Sequence, residues 1–261
     1  MGALLDLDGS SVEYAQEGNG PDLLLLHSLL TEITVFERVL PRLAKRHRVT
    51  RVNLPGFGRS SPLPLDSVRA YADHVAAVMA ALGLGPATDV FSNGFGAFVA
   101  LELAIGHGAR FNRLVVADTL ACFPEAARVP FRGMAEKVRS GGMAAVLDTA
   151  IGRMFPPAFA AANPEVVEAR KAALAPADAE CFAQACLGLA GLDLQPNLGG
   201  IKNRTLVLCG ALDQTTPPAL ARQLAAAIPG ASYLEIADSG HCPMLEQPAA
   251  LVAAIEEFLK P

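Results

Sequence analysis

The sequence has no tryptophan and only three tyrosines, so a ligand pocket in this chain is walled by Leu, Phe and Met. Charge is also scarce. Only 18% of residues are charged, and 21 basic against 26 acidic residues leave a net charge of -5, which argues against a nucleic-acid partner. The longest basic run, Lys45-Arg46-His47-Arg48, reads as the end of a helix. The five cysteines, Cys122, Cys181, Cys186, Cys209 and Cys242, form no C-x-x-C and no Cys/His set with zinc spacing. Reduced, buried thiols in a cytoplasmic protein are the expectation. No basic-then-apolar signal pattern opens the sequence, and Asp6 stands where a myristoylation signal wants Ser or Thr. No run approaches the ~18 apolar residues of a membrane span, so neither a membrane nor a nucleic acid is expected as a partner, and a small-molecule substrate is.

What remains is apolar. With 52% hydrophobic residues in 261, the chain can build a sizeable core, as one domain with an insertion or one and a half domains. Short apolar runs at Leu23–Leu26, Val49–Asn53, Ala87–Phe91, Leu114–Ala117, Leu206–Cys209 and Tyr233–Ile236 read as buried strands. Leu4–Leu7 and Val12–Gln16 alternate like an outer hairpin. Helical spacing recurs over 67–82, 95–107, 216–228 and 247–259, with Ser67 as a cap and Pro217 and Pro248 in first turns. This alternation predicts an α/β fold: a mostly parallel eight-stranded sheet with helices on both faces. Residues 121–197 break the rhythm, being rich in Ala, Met and Phe with no clear strand. The expected division is a core of residues 1–120 and 198–261 with an inserted helical cap at 121–197. His47, His74 and His107 read as surface positions.

The segment Asp89 to Ala104 reads as strand, sharp turn and helix, the setting of the nucleophile elbow G-x-S-x-G. On that pattern Ser92 takes the first Gly, Gly94 takes the Ser and Gly96 the last Gly. The alternative register makes Ser92 the nucleophile, since Ser92-Asn93-Gly94 is itself S-x-G. Two features favour an apex at 94: glycine tolerates the positive φ of the turn, and Gly96, Ala97, Ala100 and Ala104 place small residues on one helix face. Gly94 at the apex removes the hydroxyl and relieves the backbone strain, of order 1–3 kcal/mol, that a non-glycine residue stores there.

Ligands of parallel α/β sheets bind at the carboxyl ends of the strands. His27-Ser28-Leu29-Leu30, the Gly94 turn, Asp213 and His241 all fall at such ends. A histidine base needs a carboxylate on its far ring nitrogen, and Asp213 with His241 can supply that pair. The backbone N–H groups of Leu29 and Phe95 can form an oxyanion hole. Asp118, which also ends a strand, is the next candidate acid and otherwise a structural hydrogen-bonding residue. His27 is read as ordering its own loop. No metal or organic cofactor is implied.

These pieces, together with the Asn53–Ser60 turn, resemble the α/β-hydrolase superfamily over nearly the whole chain. The order of nucleophile position, acid and histidine is the same. Within it, His27-Ser28-Leu29, the stretches Gly142–Ala145 and Pro164–Val167, and Gly210–Asp213 with Thr216-Pro217-Pro218 look most like 3-oxoadipate enol-lactonases. The resemblance implies a small ester or lactone hydrolase with its site at Gly94, His241 and Asp213. Ser28, Leu30, Arg128, Arg132, Met143 and Phe155 are candidate substrate contacts; the two arginines could hold a substrate carboxylate, but solvated surface charges are the favoured reading for both. The departures are Gly94 for the family's Ser, Ser92 for its Gly, and Leu30 where such loops carry a small residue. Three readings follow: an ester or lactone hydrolase whose serine chemistry is lost or altered, a nucleophile-free general-base enzyme (water-activating hydrolase, isomerase or lyase) using His241, or a non-catalytic ligand-binding pseudoenzyme.

Overall fold

A computed structural model of the chain describes residues 2–63 and 65–260. Eight strands form one sheet: β1 (Ala3–Leu7), β2 (Ser10–Glu17), β3 (Asp22–Leu26), β4 (Arg48–Val52), β5 (Asp89–Asn93), β6 (Leu114–Ala117), β7 (Thr205–Gly210) and β8 (Ser232–Ile236). Their spatial order is β1-β2-β4-β3-β5-β6-β7-β8. The pairs β1/β2 and β2/β4 are antiparallel, and every pair from β4 to β8 is parallel. Asp8 and Gly9, both at positive φ, turn the outer hairpin. Leu23–Leu26 of β3 are fully buried, because a central parallel strand is covered on both faces. Tyr233–Ile236, expected to be buried, lie instead on the edge strand β8, where burial alternates and Leu234 is exposed.

Eleven α-helices among the described residues pack around the sheet: α1 (Leu40–Leu43), α2 (Val68–Ala81), α3 (Phe95–His107), α4 (Glu125–Gly141), α5 (Leu147–Ile151), α6 (Pro157–Ala162), α7 (Pro164–Leu174), α8 (Ala179–Gly191), α9 (Pro218–Ala227), α10 (Pro243–Glu246) and α11 (Pro248–Phe258). Ser67 caps α2 by accepting from Ala70 N–H. Pro248 sits in a first turn as expected, whereas Pro217 is the N-cap of α9 and Pro218 takes its first-turn position, where a missing N–H does no harm. The helices α4 to α8 all lie between β6 and β7 in the chain. The two ends of that insertion meet, since Leu194 N–H donates to Ala121 O at 3.0 Å and Cys122 pairs with Asp193. His47, expected at the surface, is buried where the chain enters β4. No helix among the described residues is long and apolar enough to cross a membrane.

The helix α3 is buried along nearly its whole first two turns, between the sheet and α2. Gly96 allows this approach: its N–H donates to His27 O at 3.0 Å, and a Cβ there would stand 2.6 Å from both His27 O and Leu26 O. Gly96→Ala should therefore destabilise the fold by about 1–3 kcal/mol in urea unfolding, as overpacking does. Gly133→Ala in α4, where a Cβ meets nothing within 4 Å, should stabilise by roughly 0.5–1 kcal/mol. Equal effects at the two positions would contradict this packing.

Candidate active site

One residue turns the chain from β5 into α3. Gly94 has φ 52° and ψ -119°, a conformation hostile to other residues. Its N–H donates to Ala117 O at 3.0 Å, and its carbonyl accepts from Ala97 N–H at 2.9 Å, so strand pairing and helix begin on either side of it without a gap. Ser92 lies below the turn, fully buried, with its hydroxyl directed at Val115 O in β6 at 3.4 Å. It does not line the cavity above. A Cβ built on Gly94 would overlap Ser28 Oγ, stand 2.8 Å from Ser28 Cβ and lie 3.1 Å from His241 Nε2.

His241 follows β8, and its Nδ1–H donates to Asp213 Oδ2 at 2.8 Å. Asp213 follows β7 and also accepts from Thr215 N–H at 2.7 Å, Thr216 N–H at 3.2 Å and Thr216 Oγ1 at 2.5 Å. Burial disfavours the Asp213 charge, but the facing imidazolium and these donors outweigh it and hold the carboxyl below its usual range. Burial likewise disfavours a charged His241 ring, and the Asp213 carboxylate outweighs it and raises the ring's pKa above 6.5.

The histidine loop is clamped from behind. Glu246 accepts from Gly240 N–H at 2.6 Å and Cys242 N–H at 2.9 Å. Asn93 Nδ2 donates to His241 O at 3.1 Å and to Asp118 Oδ2 at 2.8 Å, and Asp118 Oδ1 accepts from Gly210 N–H at 2.8 Å. Asp118 thus braces the strand ends, and the histidine ring faces Asp213 instead. Burial, followed by the charge of Asp213, pushes the Asp118 carboxyl well above its usual range. Sequence reasoning missed the supporting roles of Thr216 and Glu246. The Asp-x-Thr-Thr spacing of residues 213–216 is a legible Asx-turn signal, whereas Glu246 carries none that separates it from an ordinary first-turn acid.

The loop after β3 forms the other wall. Leu54 N–H donates to His27 Nε2 at 3.0 Å, so the ring proton sits on Nδ1 and donates to Ser28 O at 2.8 Å. Burial holds the His27 pKa down at about 4, and the neutral ring orders its loop. Leu29 and Phe95 both line the cavity. Phe95 N–H reaches Ser28 Oγ at 3.4 Å, and Leu29 N–H has no protein acceptor among the described residues.

The cavity above these groups has a volume of about 910 Å³. Ser28, Leu30 and Phe155 line it, with Phe98, Phe123, Phe131, Met134 and Leu189. Arg128, Arg132 and Met143 do not. On α4 the cavity face carries Ala127, Pro130, Phe131 and Met134, the i, i+3, i+4, i+7 set of one helical stripe. Arg128 and Arg132 lie on the neighbouring stripe: Arg128 Nε donates to Phe123 O at 2.8 Å, and Arg132 Nη1 donates to Glu125 Oε1 at 2.8 Å. Met143 is buried outside the cavity. The cation that does line it is Arg153. Asp118, Cys209 and Asp213 bring possible ligand atoms within 4.8 Å of one another. They suit a cation poorly, because N–H and O–H donors already fill the carboxylates and burial pushes the Cys209 thiol up.

A base with its carboxylate and a sharp strand–helix turn therefore meet at an apolar cavity at the strand ends, with Leu29 and Phe95 among its lining residues. Comparison with known proteins finds relatives over nearly the whole chain. The enol-lactonase from Burkholderia xenovorans LB400 superposes with a TM-score of 0.91 at 28% identity, over 98% of this chain and 99% of that one. By sequence, the chain is 31% identical to 3-oxoadipate enol-lactonase 2 of Acinetobacter baylyi, over 96% of this chain and 93% of that protein. It is also 31% identical to the pimeloyl-[acyl-carrier protein] methyl ester esterase of Aeromonas hydrophila, over 95% of this chain and 99% of that protein. Residues 23–255 match the alpha/beta hydrolase family, and the chain belongs to it.

Proposed function

We propose that this protein hydrolyses small carboxylic esters or lactones, with His241 moving the protons, Asp213 orienting its ring and stabilising the imidazolium, and the N–H groups of Leu29 and Phe95 holding the oxyanion. No covalent bond forms at residue 94. The observation that carries this reading is the 3.1 Å separation between His241 Nε2 and the Cβ position of Gly94. The base keeps the register of a hydrolase elbow although the elbow hydroxyl is gone. Relatives that are enol-lactonases and methyl ester esterases support the same substrate class. The helices of residues 121–197 act as a cap, supplying the apolar wall that excludes water and strengthens every electrostatic interaction beneath it.

Each part has a magnitude. General-base catalysis contributes about 10²–10⁴-fold, and losing a triad member typically leaves about 10³–10⁴-fold over water from the oxyanion hole and binding. Turnover is therefore expected to be slow and strictly dependent on His241. In a p-nitrophenyl ester and lactone panel, His241→Ala should lower kcat by at least about 100-fold. A panel with no turnover by the unaltered chain, or an unchanged rate in the variant, would contradict the reading.

The pH dependence has a definite sign. His241 is a base only when neutral, and the Asp213 carboxylate keeps it protonated to a higher pH than a free imidazole. The kcat/KM profile should rise with pH through an inflection above 6.5, and Asp213→Asn should move that inflection down while lowering the plateau. An inflection that stays put in the variant would mean another group is titrating. Gly94→Ser should restore a reactive serine that a phosphonate labels at 94. It should also destabilise the fold by about 1–3 kcal/mol, because the side chain enters a positive-φ site and displaces Ser28. A variant that is unlabelled at 94, or as stable as the parent, would contradict the elbow geometry.

A further inference from the structure

We propose that Ser28 is the nucleophile of this site, its hydroxyl standing in the space that Gly94 leaves open. The inference rests on the ester- or lactone-hydrolase reading and adds the group that reading lacks. The backbone of Ser28 is fixed. Its N–H donates to Thr31 Oγ1 at 3.0 Å, and its carbonyl accepts from His27 Nδ1 at 2.8 Å, Thr31 Oγ1 at 3.1 Å and Thr31 N–H at 3.2 Å. Only the side-chain rotor remains free. Its Oγ accepts from Phe95 N–H at 3.4 Å, a long and therefore weak bond, and donates to no group among the described residues. Across the same space His241 Nε2 has no protein partner among the described residues, while Nδ1 is committed to Asp213.

One hydroxyl proton without an acceptor and one ring nitrogen without a donor therefore face a single point, the Cβ position of Gly94. Ser28 lines the cavity floor beside the oxyanion donors Leu29 and Phe95. Ser92, by contrast, is shut beneath the turn. The absence of a side chain at 94 is what admits Ser28, since any Cβ there would overlap its Oγ. Glycine at the elbow and serine in the oxyanion loop act as a pair: the hydroxyl has moved from one strand end to the next.

The chemistry balances within this set. Neutral His241 takes the Ser28 proton at Nε2 as Oγ bonds to the substrate carbonyl carbon, and the carbonyl π pair moves onto oxygen between the N–H groups of Leu29 and Phe95. Collapse breaks the bond to the alkoxide leaving group, which takes the proton from Nε2 and departs as the alcohol. The acyl ester on Ser28 is then attacked by water, whose proton passes to Nε2 and returns to Ser28 Oγ as the acid is released.

Labelling with a fluorophosphonate, followed by peptide mapping, tests this on the unaltered chain, with p-nitrophenyl butyrate turnover measured in parallel. Adduct on Ser28 is expected. It should disappear in Ser28→Ala and fall at least tenfold in His241→Ala, and Ser28→Ala should lower turnover at least 100-fold with an unchanged melting temperature. Absence of adduct on Ser28 overturns the proposal whether or not the ester is hydrolysed. Turnover that survives Ser28→Ala within threefold but is lost in His241→Ala also overturns it, and leaves the hydrolase reading standing with water as nucleophile. A chain that hydrolyses no ester or lactone defeats the hydrolase reading itself.

Discussion

A strand that stops at Asn93 and a helix that starts at Phe95 leave one residue to reverse the chain. That single turn at Gly94 governs the rest of the molecule. It must keep β5 hydrogen-bonded to β6 up to the last residue, aim the first N–H of α3 at the cavity, and bring α3 close enough that Gly96 touches the loop after β3. Gly94 meets all three demands with a positive φ. A side chain at this φ would store strain of order 1–3 kcal/mol, and glycine carries the turn without it.

Around that turn the polar groups form layers of increasing freedom toward the cavity. Farthest from the cavity, Asp118 and Asn93 tie β5, β6 and β7 to the histidine loop, and Glu246 holds that loop by two backbone N–H groups. Above them Asp213, loaded with four donors, faces His241. A buried carboxylate of this kind is tolerable only because every lone pair has a partner. The free atoms face the cavity: the far nitrogen of His241 and the hydroxyl of Ser28. Such an arrangement concentrates order in the support and leaves reactivity at the surface of the pocket.

The sequence announced the parts that depend on local pattern. Apolar runs marked the parallel strands, and strand ends marked Asp213, His241 and the Gly94 turn, because ligand sites of such sheets gather there. Ser67 declared its helix start. Features set by three-dimensional phase were less legible. Tyr233–Ile236 read as buried although β8 is an edge strand, since an apolar run does not say which strand ends the sheet. Arg128 and Arg132 could be read as substrate ligands or, with more weight, as surface charges, and the phase of α4 decides it: a shift of one residue turns a side chain by about 100° and places both off the cavity face. The approach of Ser28 to Gly94 links residues on separate strand ends, and no spacing within the chain encodes it.

The central claim is that the proton-transferring pair stays poised over a vacated elbow, and an NMR titration of the His241 ring in isotope-labelled protein tests it most directly. The account predicts a proton resident on Nδ1 at every pH, with Nε2 titrating at a midpoint above 6.5, and a clear downward shift of that midpoint in Asp213→Asn. A midpoint at or below 6.5 that is indifferent to Asp213, or a neutral ring protonated on Nε2, would contradict it.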